Sequence, residues 1–251
     1  MRYTVAAKTD VGIRKKVNQD SVLVKHALID QNEVLLAIVC DGMGGLKKGE
    51  LASAEVVRFF NQWFLNELSN ELEYADMNII SEKWRILLAE LDRELKAYGQ
   101  KMDQKTGTTF TGILFINEQY LIGHVGDSRV YHIDHSCLQL TEDHTFIQYQ
   151  INKGEMTLEQ AKTDPRRNML MQTVGATKRM NPQFISGRAK KGHYLICSDG
   201  FRHKITPMEI TQIFAKQTDK AGMALALEKT IDLIKQRNER DNISAILINV
   251  E

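Results

Sequence analysis

The sequence predicts an α+β chain built on antiparallel sheets. Three observations carry this reading. Short β-rich runs are grouped near the start of the chain and again in its middle. Two long stripes with helical spacing follow one another between those groups. The links inside each group of strands are too short for crossover helices, so alternating βαβ units are excluded.

Taken in order, residues 3–6, 21–24 and 34–39 are the first strand candidates. The third is apolar throughout and reads as a strand buried on both faces. From 49 to 73 the period changes. Val56, Phe59, Phe60, Trp63, Phe64 and Leu68 recur every three or four residues, as in an amphipathic helix. A second helix is expected over 80–102, with Ile80, Trp84, Leu87, Leu88, Leu91 and Leu95 on one side. Both aromatic stripes read as core packing. Strands follow at 108–116, 120–125 and 129–133, then a helical stretch at 142–153 and a polar, irregular region at 154–182. Strands return at 183–188 and 194–197, helices at 207–216 and 220–237, and a last strand at 243–250. With three prolines and no Gly/Ser-rich linker or internal repeat, one domain over 1–251 is expected.

The composition narrows the function. Hydrophobic residues make up 43% and charged residues 26% of 251, which is ordinary for a globular chain. The 33 Lys and Arg against 32 Asp and Glu leave a net charge of +1, so no global field calls for nucleic acid. The longest apolar run, 34–40, is far too short to span a membrane. The first residues lack the apolar core of a secretion signal. Three cysteines without CxxC spacing suit a reducing compartment, so the expected location is the cytoplasm. No feature asks for an obligate oligomer, and a monomer is expected.

Candidate chemistry lies in acidic residues that end apolar strands beside small residues: Asp41 before Gly42, Asp127 after Gly126, Asp199 before Gly200, and Asp241 before Asn242. Singly, each reads as a turn. Brought together, such carboxylates could not all stay ionised without a cation. Hard oxygen donors without His or Cys neighbours favour Mg²⁺ or Mn²⁺ over zinc.

The ordered set Asn18-Gln19-Asp20, Asp41-Gly42-Met43-Gly44-Gly45, Thr106-Gly107-Thr108-Thr109, Gly126-Asp127-Ser128-Arg129, Leu140-Thr141-Glu142-Asp143-His144, Ser198-Asp199-Gly200 and Arg240-Asp241-Asn242-Ile243 resembles the metal-dependent protein phosphatases of the 2C type, bacterial branch. The resemblance implies a central sandwich of two antiparallel sheets flanked by helix pairs, with 154–182 as a flap beside the site. It implies a serine/threonine phosphoprotein phosphatase that attacks phosphorus directly with a metal-bridging hydroxide, opposing a bacterial Ser/Thr kinase. By position, Asp41 would bridge two Mn²⁺ or Mg²⁺ ions, the Gly42 carbonyl would join one of them, and Asp199 and Asp241 would complete the set. Asp127 would join Asp199 at a third, weaker metal site. Asp20 would orient water, and Asn242 would support the site through hydrogen bonds.

Two departures bear on this expectation. Where the family places an Arg that grips phosphate, this chain has Lys15, with Arg14 beside it. Lys is a point charge and lacks the two-pronged guanidinium fork. Lys15 is the preferred phosphate residue, and Arg14 remains the alternative if the strand shifts by one. Leu46 stands where many bacterial members have His, which leaves the general acid unassigned. His144 reads as a structural residue at the base of the flap, and the His132/His135 pair as a hairpin edge. The competing reading is a phosphatase-fold regulatory or phosphoprotein-binding module with little catalysis.

Overall fold

The computed structural model describes residues 1–29, 31–43, 48–72 and 76–251. Leu46, the residue on which the general-acid question turned, lies outside the described residues, as do Gly44 and Gly45.

The strands are β1 Tyr3–Asp10, β2 Asp20–Ile29, β3 Asn32–Asp41, β4 Phe110–Ile116, β5 Gln119–Val125, β6 Arg129–Ile133, β7 Cys137–Gln139, β8 Gln183–Arg188, β9 Gly192–Cys197 and β10 Ile243–Val250. They form two five-stranded sheets, ordered β1-β10-β9-β6-β7 and β2-β3-β4-β5-β8. Every pairing between these strands is antiparallel. Strand β3 explains the layering. Its apolar run sends Val34, Leu36, Ile38 and Cys40 to one side, where helices cover the sheet. It sends Leu35, Ala37 and Val39 to the other, where they meet Tyr194, Ile196, Ile246 and Ile248 of the opposing sheet. The strict alternation of strand side chains lets one buried strand feed two cores.

Helices α1 Gly49–Asn66, α2 Leu68–Glu71 and α3 Met77–Lys101 cover the β3 sheet. Phe60, Trp63 and Trp84 meet edge to face, with centroids 5.3 Å (Phe60–Trp84) and 5.7 Å (Trp63–Trp84) apart, and Phe60 stacks on Phe110 at 4.6 Å. Each such ring contributes about 2–3 kcal/mol by leaving water. The single helix expected over 49–73 breaks at Glu67, whose backbone leaves the helical region. On the other sheet, α7 Pro207–Phe214 and α8 Lys220–Gln236 bury Ile210, Phe214, Leu227, Ile231 and Ile234 against β9 and β10. Thr206 caps α7 with a reciprocal Glu209 box, and Asp219 caps α8.

The expected helix over 142–153 is shorter, α4 Phe146–Asn152, because Thr145 caps it from an extended backbone. The region read as irregular holds α5 Leu158–Thr163, started by a Thr157/Gln160 capping box. Six residues are too few to show a periodic stripe. A further short helix, α6 Asp199–Arg202, opens directly after β9. Among the described residues, no helix is long and apolar enough to cross a membrane.

Candidate active site

The acidic residues picked from the sequence meet at one end of the sandwich because strand register puts them there. Asp20 opens β2 and Asp41 closes β3, and the two are direct cross-strand partners. In the other sheet, Ala245 pairs with Cys197, which brings the start of β10 beside the end of β9. Asp199 follows β9 and Asp241 precedes β10. Asp127 lies in the link between β5 and β6, where the chain crosses from one sheet to the other. Like charges in such register repel one another unless something neutralises them.

Their titration records the crowding. Burial pushes the Asp20 carboxyl up to about 7. Asp199 and Asp241 add to the rise, against the Ser244 and Ser198 hydroxyls. Neither hydroxyl completes a hydrogen bond with it: both Asp20 carboxylate oxygens, and Oδ1 of Asp199, are buried without a partner. Burial, then the charges of Asp20, Asp199, Asp127 and Asp241, lift Asp41 well above the carboxylate range. Burial and Asp199 lift Asp127 to about 7 against the pull of Arg202. Asp199 is raised by burial and by Asp241, again against Arg202. Desolvation and like-charge repulsion thus act together on one group of side chains, a combination typical of reactive sites.

The surrounding backbone is held tightly. Thr109 Oγ1 accepts a hydrogen bond from the Asp41 amide at 2.9 Å, and the Thr109 amide donates to the Asp41 carbonyl at 2.8 Å. The same hydroxyl meets Ser128 Oγ at 3.0 Å, which ties Asp41 to the segment carrying Asp127. Gly42 leaves no room for a side chain, since a Cβ there would fall 2.4 Å from the Gly49 carbonyl oxygen and 2.5 Å from that of Gln19. Its close approach brings the Asp41 turn against the start of α1.

Lys15 and Arg14 separate. Lys15 Nζ stands 2.8 Å from Asp241 Oδ1. Burial pushes its ammonium down, but the Asp241 hydrogen bond and the charges of Asp241, Asp41 and Asp199 outweigh this and hold it above its ordinary value. Arg14 is exposed. Lys15 is therefore the cation that faces the carboxylates. Gly12, at φ +76°, packs so closely that a Cβ there would fall 2.3 Å from the Asp241 carbonyl oxygen.

Asn242 is tied to the same loop. Its Oδ1 accepts from the Gln19 amide at 2.9 Å, and its Nδ2 donates to the carbonyls of Val11 at 2.9 Å and Val17 at 3.2 Å. These side-chain hydrogen bonds go to the backbone on both sides of Lys15, in keeping with the supporting role expected of it.

Other contributors escaped sequence reasoning. Arg129 grips Asp143 with two hydrogen bonds, Nε–Oδ1 2.8 Å and Nη2–Oδ2 2.7 Å. Arg202 donates from Nε to the Asp127 carbonyl at 3.1 Å and from Nη2 to its carboxylate at 3.2 Å. His203 lies 3.8 Å from Asp199 and 3.9 Å from Glu239. Most of these partners lie well apart in the chain, 14 residues for Arg129–Asp143 and 75 for Arg202–Asp127, so no local pattern marks them. His144 accepts from the Gly126 amide through Nδ1, and its carbonyl accepts from Met171 of the 154–182 segment, consistent with a structural role at the flap's base. His132 lies in β6 and His135 in the turn between β6 and β7.

Two of the carboxylates, Asp199 and Asp241, border a cleft of about 590 Å³ also lined by His203, Arg240 and, from the 154–182 segment, Arg167 and Asn168. No group of three or more His, Cys, Asp or Glu side chains forms a closed coordination cluster among the described residues. The donor set nevertheless fits hard divalent cations. The oxygens are carboxylate and carbonyl, both Asp20 oxygens and Oδ1 of Asp199 lack partners, and the crowded charge needs an offset. Mg²⁺ in particular is held by one or two carboxylates and keeps several waters, so an open arrangement suits it.

The model of the protein phosphatase 2C family matches residues 13–243, and the chain belongs to that family. It is 27% identical over 258 residues to the protein phosphatase PhpP of Streptococcus pneumoniae, covering 98% of this chain and 97% of that one. It is 29% identical over 261 residues to the serine/threonine protein phosphatase PstP of Mycobacterium tuberculosis, covering 100% of this chain but only 45% of that protein's length. Among solved structures, the S. agalactiae serine/threonine phosphatase matches with a TM-score of 0.88 at 25% identity over 100% of both chains. The catalytic domain of PstP in complex with 2 manganese ions matches at 0.78 and 25%, over 98% and 97%.

Proposed function

We propose that this chain hydrolyses phosphoserine and phosphothreonine in proteins, at the cleft bordered by Asp199 and Asp241 and beside Asp41, with Mn²⁺ or Mg²⁺ as cofactor. The observation that supports this most is the crowding of those carboxylates with Asp20, which leaves both Asp20 oxygens and Oδ1 of Asp199 buried without a partner and holds Asp20 and Asp41 above the carboxylate range. Asp41, the Gly42 carbonyl, Asp199 and Asp241 would hold two ions. When bound, such ions supply Lewis acidity that activates water for in-line attack and neutralises phosphoryl oxygens.

The chain's own groups divide the remaining work. Asp20, opposite Asp41 in register, would accept a hydrogen bond from the attacking water and so aim it. Lys15, already drawn to Asp241, would exchange that carboxylate for a phosphate oxygen as the substrate enters. Asn242 would hold the Lys15 loop at the right height. The flap segment, through Arg167 and Asn168, would border the bound phosphoprotein. The chain would act as a single catalytic domain and a monomer in the cytoplasm, opposing a Ser/Thr kinase.

The test is phosphate release from a phosphothreonine peptide with and without Mn²⁺, for the wild type and for Asp41→Asn and Asp241→Asn. Metal-dependent turnover lost in both variants supports the reading. No turnover from folded, metal-loaded wild type would sink it and leave a binding module.

A further inference from the structure

Arg202 is the last residue of α6, and only 12% of its side chain is exposed. Its guanidinium meets Asp127 twice, through the carbonyl at 3.1 Å and the carboxylate at 3.2 Å. The same Nη2 stands 3.4 Å from Asp143 Oδ2, and Asp143 is itself forked by Arg129. Arg129, Asp143, Arg202 and Asp127 therefore form a row of alternating charge leading to the edge of the site. Asp20 and Asp199, by contrast, keep oxygens with no partner.

A buried carboxylate can be neutralised by a metal ion or by a guanidinium, and these exclude one another where space is short. A guanidinium stays charged at any working pH and matches a carboxylate with a rigid set of donors. Dislodging it from Asp127 would strip two hydrogen bonds and leave Asp143 to Arg129 alone. We infer that Arg202 is the built-in cation of Asp127, closing this carboxylate to a divalent metal. The metal count is then set by Asp41, Asp199 and Asp241 alone, and the third ion that the family resemblance assigns to Asp127 and Asp199 does not bind here. Arg202 also sits on the same turn of α6 as Asp199, so its grip on Asp127 anchors the helix that delivers Asp199 to the cleft. This inference rests on the divalent-cation reading above, though not on turnover.

The experiment counts Mn²⁺ bound per full-length chain by native mass spectrometry, with thermal melting in chelator as the check on folding. Wild type and Asp127→Asn should carry the same number of ions. Arg202→Met should take one more, and Arg202→Met combined with Asp127→Asn should lose that extra ion. Arg202→Lys, which keeps the charge, should match the wild type. One ion fewer in Asp127→Asn than in wild type would overturn the inference. So would a folded Arg202→Met with no additional ion. If Arg202→Met does not fold, Asp127→Asn decides alone. A wild type that binds no Mn²⁺ would overturn both this inference and the divalent-cation reading. A wild type with the expected count but no turnover would refute only the phosphatase reading.

Discussion

The carboxylates at the mouth of the sandwich are stabilised in two unlike ways. On the β5–β6 side, Asp127 and Asp143 are gripped by Arg202 and Arg129; burial and Asp199 still hold Asp127 at about 7, whereas the doubly contacted Asp143 is fully offset. Asp143 is accordingly lowered: burial raises it, but the Arg129 hydrogen bonds and the charges of Arg202 and Arg129 prevail. On the side of β2, β3 and α6, Asp20, Asp41 and Asp199 are raised, and both Asp20 oxygens and Oδ1 of Asp199 have no partner. The first arrangement is a structural brace, and the second is where the proposed cations would sit. Residues of one chemical type thus do opposite work, according to whether an Arg was folded in beside them.

Substitutions at the two regions should separate in kind. Asp41→Asn should cost about a thousandfold or more in metal-dependent turnover, the several kcal/mol that bound-cation chemistry supplies. Its melting temperature in chelator should stay level or rise, because one charge leaves a repelling group. A large loss of stability in chelator would place Asp41 in the brace instead. Arg129→Met should do the reverse and destabilise by about 3 kcal/mol, since Asp143 is left buried with a weakened partnership. Urea unfolding in chelator measures this.

Smaller effects sharpen the picture. Asn242→Ala removes the ties between the 11–19 loop and β10 and should cost about 2 kcal/mol, with KM rising more than kcat falls if the loop serves to place Lys15. An equal fall in kcat with unchanged KM would make Asn242 a participant in the reaction. His124, fully buried, is lowered to about 3 by desolvation and then by His144. Unfolded, a His titrates near 6.5. The unfolded chain therefore takes up the extra proton first, and the His124 contribution is complete above about pH 6.5 and lost as pH falls towards 3. His124→Gln should flatten the pH slope of stability between about 6.5 and 4 relative to wild type. An unchanged slope would mean that His124 is not held neutral.

Much of this was legible in the sequence. Apolar strands ending in Asp beside small residues flagged Asp41, Asp127, Asp199 and Asp241, and the switch of period at Gly49 marked the helices. Short elements such as β7, α5 and α6 were not legible, because three to six residues hold their shape through caps and neighbours and show no periodic stripe. Arg129–Asp143 and Arg202–Asp127 were also hidden, since a long-range ion pair leaves no local pattern. The choice between Lys15 and Arg14 needed the register of the loop against Asp241. Asn242 was flagged as a support, but its ties to Val11 and Val17 emerge only when β10 is placed beside the loop.

The division between brace and cation site is tested most directly by anomalous diffraction from crystals grown with Mn²⁺. The account predicts peaks against Asp41, Asp199 and Asp241, and none against Asp127, where Arg202 remains in place. A peak coordinated by Asp127 with Arg202 swung away, or no peak at Asp41, would contradict it.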